Sequence, residues 1–285
     1  MSRGGQDILL KVYRSRPAAV NARLARPARH AYTDHMREEK PQTNDQLDTM
    51  AVRYPDAVCG TFLARPDRFT ARVMLDGQEI VAHLKTTGRC AELLVPGAAV
   101  VVCPAEGMHR RTAWDLVAAY KGDMLVNIDS LASNRIARQW LARRSPGAEI
   151  RPEVRVGDSR LDFVVHDGAG DLFVEVKGCT LEQGGLALFP DAPTQRGVKH
   201  LHALGALAAQ GHRALVLFVV QMRPVTAFSP HDALHPAFGQ ALRQAAATGV
   251  EVHAVDCIVT LQGMHLGTEV PVRMQPPLHR GLRLL

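Results

Sequence analysis

The 285-residue sequence predicts an α/β (α+β) protein: a small curled β-sheet or barrel, then a mixed sheet with helices on its faces. Three observations carry this prediction. Between Ala57 and Pro104 the chain runs through short β-like segments, VCGTFLA, RFTARVML, EIVAHLK and AAVVV. Pro66-Asp67, Asp76-Gly77 and Pro96-Gly97 punctuate them. Farther on, the periodicity gives an α-β-β-β-α-β-α-β order whose strand–helix–strand steps imply parallel neighbours. Finally, RALVLFVV at 213–220 is a continuous apolar run with branched residues, the mark of a strand buried on both faces.

Residues 1–50 show no sustained periodicity and end in EEKPQTNDQ, so they read as a flexible basic and polar extension. Met50, just before the ordered-looking sequence, offers an alternative start. The barrel is assigned to 51–112, on the principle that several short strands over a small core close on themselves. The second domain is assigned to 113–285. It opens with AWDLVAAY and MLVNID, a hairpin around Lys121-Gly122-Asp123. A helix follows from about Ser133 to Arg143, with Asn134 as its cap, an apolar stripe of Ile136, Trp140 and Leu141, and Pro146-Gly147 as its stop. Strands are expected at about 150–156, 160–166 and 172–177, and a helix from Thr194 to Gln210 ended by Gly211. After the 213–220 strand come a helix at 235–247 and a strand at 251–256.

Composition narrows the function classes. Hydrophobic content is 46% with no apolar run near 18 residues, which argues for a soluble globule and no membrane span. The N-terminus lacks the pattern of a secretory signal, and the five cysteines are odd in number and unlike a zinc knuckle. They read as reduced thiols of a cytoplasmic protein, with Cys179 a small buried residue rather than a nucleophile. The net charge is +6, but residues 1–55 hold 10 Lys/Arg against 6 Asp/Glu and so carry most of it. That concentration reads as a solvated tail rather than as a phosphate-binding arm.

The stretch RLDFVVHDGAGDLFVEVKG at 160–178 places Asp162, Glu175 and Lys177 in otherwise apolar strands. Side chains alternate along a strand, so Glu175 and Lys177 share a face. A two-residue turn at Gly168-Ala169 sets Asp162 across from Glu175, whereas an odd loop turns it to the other face. Two carboxylates on a rigid hairpin offer hard oxygen ligands to Mg²⁺ or Mn²⁺, and the Val176 carbonyl can add a third. Lys177 can orient or deprotonate a water, or neutralise charge on a pentavalent phosphorus. Set against this, Glu-x-Lys arises by chance about once per chain, and Glu38-Glu39-Lys40 repeats it. Taken alone the triplet is weak, and an ion pair on a solvated sheet face is its plainer explanation; the upstream Asp162 and the surrounding α-β-β-β-α-β order shift the balance toward a metal site.

At this point the chain resembles the sugar fermentation stimulation protein family. The words RPEVRVGDSRLDFVV, FVEVKGCTL, LFPDAPTQRGVKHL, VLFVVQ and VHAVDCIVT carry the resemblance in order, and GTFLARPDRFTARVMLDGQEIVAHLKTTGRCAELLVPG matches its N-terminal part. The match spans about Tyr54 to Thr260. It implies an OB-like barrel followed by a domain similar to PD-(D/E)xK nucleases, with Asp162 as the lone acid and Glu175 and Lys177 as the E-x-K pair. Gln221 lies where some branches carry a glutamine. Asn134 stands where some carry a helix glutamate, and Thr86-Thr87-Gly88 replaces the family's Asn-Thr-Gly. The family is linked with DNA binding and with regulation of sugar-fermentation genes. Two functions follow as expectations, a metal-dependent DNA-cleaving protein and a non-catalytic DNA-binding regulator.

The remaining candidates are phosphate contacts. Thr194 caps a helix whose free N–H groups can receive a phosphate, and Arg196, Lys199 and His200 fall on its next turns. Arg89 sits beside a glycine in the barrel. Glu153 and Asp158 flank a core strand and read as exposed strand-end acids. Phe62 and Phe69 are the aromatic candidates for base stacking, and core packing is the expected role of both. No nucleotide-binding glycine loop or helix-turn-helix is recognisable, so DNA binding without sequence readout is the expectation.

Overall fold

The computed structural model describes residues 52–86, 88–107, 110–157 and 159–275. The expectations for residues 1–50, Met50, Thr87 and Asp158 lie outside these residues.

Five strands make the barrel: β1 being Val52–Arg53, they are β2 (Val58–Ala64), β3 (Thr70–Leu75), β4 (Gln78–Leu84), β5 (Ala99–Pro104) and β6 (Trp114–Lys121). The order β4-β3-β2-β5-β6 closes through a parallel pairing of β4 with β6, so no edge is left between them. That closure, first strand between second and fourth and third parallel to fifth, is OB topology. Alternation drives it: Ala71 and Val73 on β3 and Ala82 and Leu84 on β4 are buried, while Arg72, between the first two, and Val81, just before the second two, are exposed. β7 (Met124–Asn127) extends the sheet by pairing with β6 across a turn at Gly122, whose φ is +59°.

The hairpin β6–β7 therefore belongs to the barrel, and the domain boundary read at 112/113 falls inside this sheet. Its apolar residues close the barrel rather than starting the second sheet. β1, read as the start of the barrel, instead pairs with the last strand of the large sheet.

That sheet has seven strands: β8 (Glu149–Val156), β9 (Ser159–Asp167), β10 (Gly170–Cys179), β13 (Arg213–Val220), β15 (Glu251–Thr260), β16 (Gly263–Glu269) and β1. β10–β13 and β13–β15 are parallel, and helices α2 (Gln195–Ala209) and α3 (Pro236–Ala247) form the crossovers. All of β13 except its first residue is buried, as a strand covered on both faces requires. β11 (Leu181–Gln183), β12 (Leu186–Phe189) and β14 (Ala227–Pro230) form a separate three-stranded sheet.

Helix α1 (Ala132–Arg144) covers one face, packing Ile136, Trp140 and Leu141 with Val174, Leu215 and Leu217. Leu201, Leu204 and Phe238 of α2 and α3 cover the other, against Val216 and Phe218. This second apolar cluster is continuous with the barrel interior, Phe62, Val73 and Leu116 included. Each such fully buried side chain contributes about 1.5–3 kcal/mol relative to exposure. The α1 cap differs from expectation. Its N-cap is Leu131, held by the Asp129 carboxylate accepting the Leu131 N–H at 3.0 Å, and Asn134 lies inside the first turn.

Candidate active site at the β9–β10 fork

The β9–β10 hairpin turns on Gly168-Ala169, with Asp167 opposite Gly170. The paired register runs to Phe163 opposite Val174, which places Asp162 and Glu175 at the next step on one face. There the strands part, and the Asp162 side chain replaces a backbone partner: its Oδ2 accepts the Val176 N–H at 2.8 Å. Its Oδ1 accepts from Asn134 Nδ2 at 3.1 Å. The short helical side chain that sequence alone suggested as a cap therefore orients the lone acid instead.

Glu175 is 2% exposed. Its Oε1 accepts from both Lys177 Nζ and His200 Nδ1. His200 Nε2 accepts from Arg196 Nε at 3.4 Å, which leaves Nδ1 as the protonated nitrogen of the ring. Glu175 Oε2 is buried with no hydrogen-bond partner. Such an orphaned acceptor is costly unless something binds it.

The two carboxyls are shifted in opposite directions. Burial raises Asp162 above its ordinary value and the charge of Glu175 adds to that, while the Val176 and Asn134 bonds and Lys177 oppose it without cancelling it. Burial pushes Glu175 up as well, but the His200 bond and the charge and bond of Lys177 outweigh it, so Glu175 is held below its ordinary value.

The donor set fits a divalent cation whose remaining ligands come from outside the protein. The orphaned Oε2 supplies one oxygen and Asp162 lies beside it. Among the described residues no group of three or more His, Cys, Asp or Glu is arranged to hold a metal ion by itself. Mg²⁺ commonly takes only one or two protein carboxylates and fills its shell from outside the protein. Val176 sits between the two site residues of β10, paired with Leu217 of β13.

The other candidates separate. Thr194 is the α2 cap, its Oγ1 accepting the Gly197 N–H at 3.0 Å. Arg196 and Lys199 are exposed on α2, whereas His200 is buried and committed to Glu175, which corrects its reading as a backbone grip. Gln221 is 2% exposed, and its Nε2 donates to Asn127 O at 3.2 Å, Asn127 Oδ1 at 2.8 Å and Asp129 O at 3.2 Å. It joins barrel to sheet, with its amide nitrogen committed to these three oxygens, rather than standing on an open surface. Arg89 is exposed on a barrel loop whose Arg89 N–H is taken by Asp191 at 3.1 Å.

Glu153 is exposed, pairs with Arg160 at 3.6 Å and takes no part in the site. Cys179 is buried, its thiol pushed up to about 12 chiefly by burial, so it is inert as a nucleophile. A surface cavity of about 350 Å³ beside Trp140, Arg144 and Glu269 contains none of the site residues. The His200 role had one legible signal: the residue lies on the apolar stripe of α2 with Leu201 and Leu204, and so faces the sheet.

Comparison with known proteins agrees with this architecture. The family model described as the sugar fermentation stimulation protein RE domain matches residues 130–263, and the SfsA N-terminal OB domain matches 63–128. A sugar fermentation stimulation protein homolog of Desulfitobacterium hafniense is 44% identical over 78% of this chain and 99% of its own length. The chain belongs to the sugar fermentation stimulation protein family. A homolog from Clostridium beijerinckii is 40% identical over 78% of this chain and 99% of its own. The solved structure of Pyrococcus furiosus SfsA in complex with Ca²⁺ is 29% identical, covers 79% of this chain and 99% of its own, and superposes with a TM-score of 0.72. Family membership explains the barrel, and the 63–128 match agrees with the strands that place β6 and β7 within it. Among the described residues no helix is long and apolar enough to cross a membrane.

Proposed function

We propose that this protein binds DNA without reading its sequence and cleaves phosphodiester bonds at Asp162, Glu175 and Lys177 with Mg²⁺ or Mn²⁺. The observation that carries this reading is the buried, partnerless Oε2 of Glu175 on the face shared with Asp162 and Lys177. Asp162, Glu175 and the Val176 carbonyl are the groups that would hold the cation. When bound, it would polarise a phosphate oxygen and acidify a water.

The chain's own residues do the rest. Asn134 and the Val176 N–H fix the Asp162 carboxylate, and His200 with Lys177 fixes Glu175. Lys177 Nζ, a donor to Glu175, would orient the attacking water and offset charge as the water's oxygen joins phosphorus, its proton passes to solvent and the bond to the leaving sugar oxygen breaks. Exposed Arg196, Lys199 and Arg89 supply phosphate contacts. The cytoplasm, suggested by five free thiols, is the proposed compartment.

The test is cleavage of plasmid and linear DNA with Mg²⁺ or Mn²⁺. Wild type should cut, while Asp162→Asn and Lys177→Ala should lose at least about 100-fold in rate and still bind DNA. Salt-sensitive binding with no cutting by wild type in either metal would refute catalysis and leave a binding-only regulator.

A further inference from the structure

Leu131 is the most exposed large apolar side chain among the described residues, at 65%. Phe69 follows at 49%, so the core packing expected of Phe62 and Phe69 holds only for Phe62, at 1%. An isolated exposed leucine is ordinary. This one also breaks a second local rule. It occupies the N-cap of α1, where leucine is among the poorest choices, and its side chain closes no cap bond. Serine, asparagine or aspartate would serve the helix better there. Two unfavourable features at one residue mark a role outside folding.

The backbone around Leu131 is fixed. Asp129, 3% exposed, accepts the Leu131 N–H on Oδ1 at 3.0 Å and pairs through Oδ2 with Lys85 Nζ at 3.0 Å. The Ser130 N–H and Oγ both donate to Lys85 O, at 3.0 and 2.8 Å. Leu131 itself has helical φ and ψ, −83° and −18°, so it follows the spacing of the turn it opens. Asn134 stands three residues on, its Cβ about 5–6 Å from that of Leu131, and Asn134 Nδ2 is 3.1 Å from Asp162 Oδ1. In the same turn, Ser133 Cβ lies 3.4 Å from where a Cβ on Gly178 would stand, and Gly178 directly follows Lys177. The leucine is therefore one helical turn from the contacts that hold the lone acid and border the lysine. Arg135, four residues on and so on the neighbouring turn, is exposed beside it.

We propose that Leu131 is a wedge: when a duplex lays a phosphate against Asp162 and Glu175, this side chain enters the adjacent base step and unstacks it, with Arg135 on a neighbouring phosphate. The position favours this occupant, because nucleotides flanking a phosphate at the site must pass the first turn of α1. A rigid apolar tip suits the apolar faces of two bases, which open to it only when the step parts. Unstacking costs least where a step is already weakened, so the wedge makes the protein prefer a mismatched step to a perfect one. The inference rests on the DNA-binding reading and adds what happens to the duplex beside the site.

The test uses full-length Asp162→Asn protein with Mg²⁺ and labelled duplexes of about 15 base pairs, one perfect and one with a central mismatch flanked by 2-aminopurine. The mismatched duplex should bind about ten-fold tighter, and 2-aminopurine fluorescence should rise as the step unstacks. Adding Leu131→Asn should remove both effects, yet that protein should melt at or above the temperature of its parent, because asparagine is a strong cap. A merely structural leucine would give the opposite pattern. Leu131→Met, apolar and of similar length, should retain both effects. Equal affinity of the parent for the two duplexes, or discrimination and fluorescence unchanged by Leu131→Asn, overturns the proposal. So does a dimer in sedimentation that Leu131→Asn dissolves with no change in DNA binding, which would give the residue to a second copy of the chain. Binding of neither duplex overturns this proposal and the DNA-binding reading together. If Leu131 unstacks DNA and wild type cuts in neither metal, the cleavage reading falls and this one stands; cutting without unstacking reverses that outcome.

Discussion

Asp162 and Glu175 contribute to stability with opposite signs. Asp162, held above its ordinary value by burial and by Glu175, costs stability at neutral pH, and the cost disappears as pH falls through its folded value. Glu175, held low by His200 and Lys177 despite burial, contributes fully above about pH 4.3, and its contribution is lost as pH falls through its lower folded value. Asp162→Asn keeps the shape: its carbonyl can take the Val176 N–H and its amide can donate to a flipped Asn134. Urea melts should show this variant more stable than wild type at pH 7, with the gain gone near about pH 3, where Asp162 is protonated anyway. An equal difference at both pH values would count against the charge argument. His200→Ala leaves Glu175 with Lys177 alone on Oε1 and should cost about 1–3 kcal/mol in the same assay.

Strand pairing and helix ends differ in how far sequence reveals them. The 213–220 strand was legible to the residue because a run of branched apolar side chains admits one burial pattern. The β9–β10 register was legible once the turn was assigned, since parity alone decides which face Asp162 takes. Strands β11, β12 and β14, three or four residues each, were not, because too few side chains alternate to make a period. The α1 cap was missed for another reason. Asn134 is a strong capping type, but Asp129, earlier in the chain, already takes the Leu131 N–H, which frees Asn134 for Asp162. The two helices therefore predict different responses. Thr194→Ala should cost about 1 kcal/mol in urea, as a lost cap does. Asn134→Ala should cost less, because alanine's better helix propensity offsets a lost bond, while weakening the hold on the Asp162 carboxylate.

Barrel and large sheet share an apolar cluster and a buried polar junction. In that junction Asn127 Nδ2 donates to the Tyr54 hydroxyl at 2.7 Å, and Lys85 pairs with Asp129 at 3.0 Å. Gln221 closes it from the sheet side, so Gln221→Ala should cost about 1–3 kcal/mol and leave one cooperative transition by circular dichroism and tryptophan fluorescence. Two separate transitions in wild type would deny the shared core. The pairing of Val52 with Met264 has a consequence for biosynthesis. A nascent chain releases β1 from the ribosome first, yet its partner emerges more than two hundred residues later. The barrel can close while elongation continues, whereas the large sheet must wait for its final strand. Until then Val52 lacks the strand it pairs with, and completing the sheet brings these two distant segments side by side.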